Sequence, residues 1–174
     1  MRLRRRIAPV LAFFTALLLF AVSAVVYSEF WVHQPGVEEL IAALPPSERD
    51  LPPAIHAVFS KVDETEINRW IARNLLWQTT ERTRMGRWHL RFALWELLVP
   101  YKYSRRVRLS LFAHFLVAES ASGLEQVSET LFAKPAHQLS RDEAIGLLAV
   151  TRSPRRFSPK RHPDAYEKEV ERLR

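Results

Sequence analysis

Asp63 and Glu96 are carboxylates that could act as general acid or base, and the arginines at 73, 84, 87, 91 and 105 are cations that could hold phosphate. From Arg82 to Arg108 the chain carries eight Arg or Lys residues and one acidic residue, Glu96. Such a block suits anionic lipid headgroups or a phosphate-bearing ligand. Each residue also has a plainer role. Glu96 would balance the basic helix around it, and Asp63 would cap a helix beginning near Thr65, supported by Glu66 three residues on. The arginines would lean on lipid headgroups, as long basic side chains do near membranes.

Other chemistries find little here. Cysteine is absent, so disulfides and thiolate metal sites are excluded. The six histidines are scattered without a paired spacing that would hold a metal. Ser122 with Glu125, and Ser140 with Glu143, read as helix-capping boxes rather than nucleophiles. No cofactor is implied, and a divalent cation is compatible with phosphate chemistry but not indicated.

The elements that must position these residues begin with an apolar segment. Arg2, Arg4, Arg5 and Arg6 precede an uncharged run from Ile7 to Tyr27, 21 residues long. A bilayer core of about 30 Å needs roughly 20 apolar residues in a helix. The run is therefore expected to be a transmembrane helix, and the arginines favour a cytoplasmic N-terminus. A cleaved signal peptide is the competing reading, with Val22-Ser23-Ala24 as its small-residue site, but its apolar region would usually span only about 7–15 residues. With those four arginines set aside, 22 basic and 19 acidic residues remain, so most of the net +7 lies at the N-terminus and in the 82–108 block. Nucleic acid would be the usual partner of a cytosolic basic patch, and this topology argues against it.

Residues 28–53 read as a tether broken by Pro35, Pro45, Pro46, Pro52 and Pro53, with a short helix over 37–44. Beyond it, apolar residues recur at helical spacing. Ile67, Trp70, Ile71, Leu75 and Leu76 share one face, and Leu90, Ala93, Leu94, Leu97 and Leu98 share another up to Pro100. Leu109, Phe112, Ala113 and Leu116 continue the pattern. A last amphipathic helix over 164–174 looks frayed and solvated. Trp70, Trp77, Trp88 and Trp95 recur as a stripe that would suit a membrane interface, with core packing the alternative for Trp70. No strand pattern is visible, so the expected class is all-α.

The C-terminal order is specific: Leu131-Phe132-Ala133-Lys134-Pro135-Ala136, then Leu139-Ser140-Arg141-Asp142-Glu143-Ala144, then Pro154-Arg155-Arg156-Phe157-Ser158-Pro159. This sequence of helix, Lys-Pro turn, capped helix and Pro-punctuated basic tail resembles the peptidoglycan glycosyltransferases, glycosyltransferase family 51. Upstream, Val62-Asp63 resembles the family's Glu-Asp segment, with Val62 in the place of the catalytic glutamate. The chain then passes almost at once to Thr65-Glu66-Ile67-Asn68-Arg69-Trp70-Ile71-Ala72-Arg73-Asn74, which resembles the family's Ser-Thr-x-x-Gln-Gln-x-x-Lys-Asn segment. The resemblance implies that the family's mobile, membrane-dipping lobe, which lies between these segments, is deleted here. Arg84-Met85-Gly86-Arg87-Trp88 resembles the Arg-Lys-x-x-Glu helix, with Trp88 at the second carboxylate; a second register places Phe92 there. Ser104 to His114 resembles the helix that follows, with Arg105 at its lysine.

The resemblance covers roughly residues 53–163 and implies a truncated lysozyme-like helical domain over 54–174, after an anchor at 1–27 and the tether at 28–53. It implies residence in a bacterial inner membrane, single-pass, with the domain outside the cytoplasm. The implied ligand is lipid II or a glycan strand, with other cell-wall synthases as further partners. Glu96 or Asp63 would have to serve as base, while Arg73, Arg84 and Arg105 would hold phosphate. Two readings follow. One is a peptidoglycan glycosyltransferase-like protein with depleted catalytic machinery; the other is a non-catalytic lipid II-binding, glycan-binding or scaffold protein.

Overall fold

The computed structural model describes the backbone of residues 2–79 and 85–174, and the side chains of 12–28, 35–78 and 88–174. The chain divides into two compact units, Met1–Glu39 and Leu40–Arg174. The first consists of helix α1, Arg2–Ala43, which continues into the second. Its apolar side chains are bare to the surroundings, Phe20 at 73% and Phe13 at 65%. Among the described residues, no helix is long and apolar enough to cross a membrane. The uncharged run 7–27 lies only in part within them, since the side chains before Ala12 are not described.

The connector differs from the sequence expectation. Helix α1 runs unbroken through Pro35 and stops just before the Pro45-Pro46 pair. Proline suits the first turn of a helix, where its missing N–H has no partner to lose. Accordingly Pro46 opens α2 (Pro46–Arg49) and Pro53 opens α3 (Pro53–Phe59).

The second unit is built around α8, Arg141–Arg152, in which every residue from Ala144 to Thr151 is buried. Ser140 accepts the N–H of Glu143 at 3.3 Å while the Glu143 carboxylate accepts that of Ser140 at 2.8 Å, the expected capping box. Helices α3, α7 (Leu124–Phe132) and α9 (Pro163–Leu173) pack around it. Helix α9 is therefore docked, not frayed: Glu169 is 8% exposed and faces Arg152 and Arg172.

Helices α4 (Glu64–Thr79) and α5 (Met85–Lys102) form an antiparallel pair, with α6 (Arg105–His114) across α4. Pro100 does not end α5, which runs two residues past it. Phe59 and Phe112 meet edge to face, 5.2 Å between ring centres, and lock α3 to α6. The tryptophan stripe is broken: Trp77 is 71% exposed whereas Trp95 is only 3% exposed and belongs to the core.

Sequence periodicity missed one small sheet. Val117–Ala118 (β1) pairs antiparallel with Ala121–Ser122 (β2) through a turn in which Glu119 takes φ +55°. Two-residue strands are too short to leave an alternation signal. This hairpin also overturns the Ser122–Glu125 capping box. Ser122 is in β2, Gly123 holds the N-cap position of α7, and the carboxylate that accepts the Leu124 N–H is Glu48, at 2.9 Å. Glu125 instead accepts the N–H of Ala136 at 3.2 Å.

Candidate functional site

A cleft of about 760 Å³ opens between the middle of α4, the β1–β2 turn and the segment that follows α8. Trp70 and Arg73 form one wall, held by their own helix and by the edge-to-face contact of Trp70 with Phe112 at 6.1 Å. The Arg73 guanidinium lies over the Trp70 ring, 4.4 Å from its centre. There it loses part of its hydration, which lowers its pKa from the ordinary arginine value without neutralising it.

Thr151, Arg152, Arg155 and Arg161 form the opposite wall. Arg152 is committed to structure. Its Nε reaches Glu66 Oε1 at 2.9 Å, its Nη2 reaches Glu66 Oε2 at 2.6 Å, and its Nη1 lies 3.4 Å from Glu169. This fork fixes the end of α8 against the first turn of α4 and so sets the cleft's width. Arg73, Arg155 and Arg161 have no carboxylate partner among the described residues. The one carboxylate on the rim, Glu119, is paired with Lys160 at 3.4 Å. The cleft thus presents three guanidinium groups with no carboxylate partner among the described residues, only that of Arg73 partly desolvated, which favours a multiply charged oxyanion such as a phosphate ester.

The residues singled out from sequence are distributed differently. Arg73 lies in this cleft. Asp63 does not: it caps α4, accepting the N–H groups of Thr65 at 2.8 Å and Glu66 at 3.3 Å. The Thr65 backbone N–H first, then the Thr65 hydroxyl and the Glu66 N–H, hold its carboxyl below the usual aspartate value. It lines a smaller cleft of about 260 Å³ with Val62, Glu66, Arg141 and Arg174. Glu96 projects from α5 to Arg69, 3.1 Å away, and lines neither cleft. Arg105 donates to the Ser60 carbonyl at 2.6 Å and is ion-paired with Glu64, which also binds the buried Arg108. Glu64 precedes Arg73 by nine residues, about 13 Å along a helix, and Arg105 does not line the Arg73 cleft. Arg84 lies outside the described residues.

Val62 is 5% exposed, an apolar side chain packed where the resemblance puts a catalytic glutamate. The arginines that sequence reasoning passed over, Arg155 and Arg161, sit in the basic tail after Pro154. Their signal was a cluster of cations with no nearby acid, although nothing local showed that the tail folds back over α4.

The cleft does not end at Arg73. Trp70, Asn74 and Gln78 lie at i, i+4 and i+8 of α4, in one row along the helix, with Arg73 on the other side of Trp70. Asn74 and Gln78 line an adjoining cleft of about 420 Å³, and Val117 lines both.

The family model described as Transglycosylase matches residues 71–174. It begins on α4 and takes in the arginine wall, the hairpin and the central helix. No curated protein matches the chain.

Proposed function

The chain belongs to the transglycosylase family, and from that premise we propose that it acts in cell-wall assembly by holding a lipid-linked glycan precursor through its pyrophosphate, with little or no sugar transfer of its own. The observation that carries this reading is the unneutralised trio of Arg73, Arg155 and Arg161 around one cleft. Glycosyl transfer from a polyprenyl pyrophosphate needs cations for the departing diphosphate and a base for the acceptor hydroxyl. Among the described residues the cations are present, while the carboxylates that the resemblance offers as base are engaged elsewhere. Val62 cannot take a proton, Asp63 is occupied by helix N–H groups, and Glu96 is paired with Arg69. Loss of a positioned base typically costs about 10²–10⁴ in rate.

In this proposal residues 7–27 anchor the protein in the bacterial inner membrane, and the helical unit is a shortened, lysozyme-like domain on the outer face. Lipid II is then the natural ligand, delivered in the same membrane. Active synthases of the same machinery are the partners a holding module would serve. Residual transfer has one observation in its favour: Asp63 reaches solvent beside Val62 in the smaller cleft. Its lowered pKa, however, makes it a weak base.

The test uses full-length protein in detergent with labelled lipid II. Saturable binding is expected, weakened at least about tenfold when Arg73 and Arg155 are both changed to Ala, since each charge-assisted hydrogen bond contributes about 1.5–3 kcal/mol. Glycan strands that disappear in Asp63→Asn or Glu96→Gln would overturn the holding role. Equal binding by the arginine variants would remove the site.

A further inference from the structure

Helix α5 wears its amphipathic pattern inside out. Arg91, Trp95 and Val99 recur every four residues and are buried, on the side that packs against α4. The opposite side carries Leu90, Ala93, Leu94, Leu97, Leu98 and Tyr101. Leu90 is 57% exposed, Leu97 59% and Tyr101 83%, with Ala93 exposed and Leu94 and Leu98 part-exposed. A leucine stripe of this kind normally faces a core. Left bare and continuous on a surface, it marks a place of contact.

The stripe is its own complement. Leu90, Leu94, Leu97 and Tyr101 are spaced four, three and four residues apart, as in the seam between two packed helices. Reversed and laid on itself about a twofold axis between residues 95 and 96, the seam sets Leu90 against Tyr101 of a second copy and Leu94 against Leu97. Beside it, the small Ala93 meets the larger Leu98. Each apolar side chain of the stripe finds an apolar counterpart, a correspondence that a lipid surface does not require. The eight Arg or Lys residues from Arg82 to Arg108, against one acid, bring like charges together at both ends of such a pair. About three helical turns bury less than the roughly 800 Å² per partner of a standard interface. The pair is therefore weak in solution, and anchoring in one membrane would favour it by raising the local concentration.

We propose that the exposed face of α5 is a homodimer interface, in which two copies of the chain pack antiparallel through Leu90, Leu94, Leu97 and Tyr101. This goes beyond the proposed function and does not depend on the ligand of the arginine cleft.

The chain has no cysteine, so a single introduced thiol is unique. Full-length Leu90→Cys and Tyr101→Cys proteins are mixed in detergent and oxidised. A disulfide between the two variants is expected, because the seam brings these positions face to face. Leu90→Cys alone should form none, since its two thiols would stand eleven residues, about 16 Å, apart along the helices. Glu129→Cys, exposed on α7, is the negative control. Sedimentation should show self-association that tightens as salt screens the basic ends. It should weaken at least about tenfold in Leu97→Glu, a change that acts twice across the twofold. The cysteine variants keep the test valid if Leu97→Glu loosens α5. Absence of the 90–101 disulfide, a disulfide within Leu90→Cys alone, affinity that falls with salt, or full association in Leu97→Glu would each overturn the interface. So would a nitroxide at residue 97 that meets acyl chains in phosphatidylglycerol vesicles, which would assign the face to the bilayer.

Discussion

Arg152 grips Glu66 with two parallel hydrogen bonds, Nε to Oε1 at 2.9 Å and Nη2 to Oε2 at 2.6 Å, across 86 residues of chain. The pair ties the last turn of the central helix to the first turn of α4, and both partners are part-buried, 24% and 34% exposed. A lysine at 152 would keep the charge and lose the fork. Arg152→Lys is expected to lower unfolding stability by about 1–2 kcal/mol, reduced from a fully buried pair by solvent screening. Urea denaturation checks this, and an unchanged midpoint would show the fork to be ornamental. The same variant should also weaken pyrophosphate binding, because the segment bearing Arg155 and Arg161 leaves α8 directly after Arg152.

Gly146 is held by a neighbour rather than by its backbone. A Cβ there would fall 2.1 Å from the Tyr166 hydroxyl oxygen and 3.3 Å from the Phe132 ring. Gly146→Ala gains roughly 1 kcal/mol of helix propensity but must displace the Tyr166 side chain from its seat on α8, and overpacking costs about 1–3 kcal/mol. The expected result is a net loss of stability. Because the collision is with the hydroxyl, Tyr166→Phe should recover part of it, and a double-mutant cycle would show coupling well above 0.5 kcal/mol. Additive effects would mean that α9 is not seated as described.

These relationships mark how far residue order could lead. The helices were legible because their burial repeats every three or four residues, and the Ser140–Glu143 box because both partners lie within one turn. Asp63 as a cap was legible for the same local reason. The Ser122–Glu125 box had the same spacing and failed, since Glu48, 76 residues from Leu124, took the helix N-terminus. Glu48 itself sat in a segment that read as a tether, with no periodicity to suggest burial. The candidate site divides along the same line. Arg73 was found on its own helix face, whereas Arg155 and Arg161 become ligand groups only through the fold-back of the tail after α8.

Electrostatic attraction in the arginine cleft should also be measurable without the natural ligand. With Arg73, Arg155 and Arg161 unpaired, pyrophosphate affinity is expected to fall steeply between about 50 and 200 mM salt. Arg73→Gln should flatten that dependence. Arg105→Gln should leave it nearly unchanged, because Arg105 lies outside the cleft, held by Glu64 and the Ser60 carbonyl at the far end of α4. Titration calorimetry at several salt concentrations separates the two, and an equal response would mean that Arg105 joins the site.

Acid sensitivity should concentrate at the capping box of the central helix. The Lys134 ammonium, 2.6 Å away, does most to hold the Glu143 carboxyl down, helped by the Ser140 N–H, and its pKa falls to about 2. A carboxyl with a folded-state pKa below its ordinary value of 4.5 contributes stability that is complete above that value. That stability is lost as protons bind, progressively between pH 4.5 and about 2. Asp63 and Glu169 are shifted in the same direction, by helix N–H groups and by Arg172 respectively, and add to the acid slope. Glu143→Gln should therefore be less stable than the parent at pH 7 and lose less between pH 4.5 and 2, with a residual slope left by the other two. Denaturation at a series of pH values, with the Glu143 carboxyl followed by NMR, reads both quantities. A Glu143→Gln variant with the full parental slope would show that the acid response originates elsewhere.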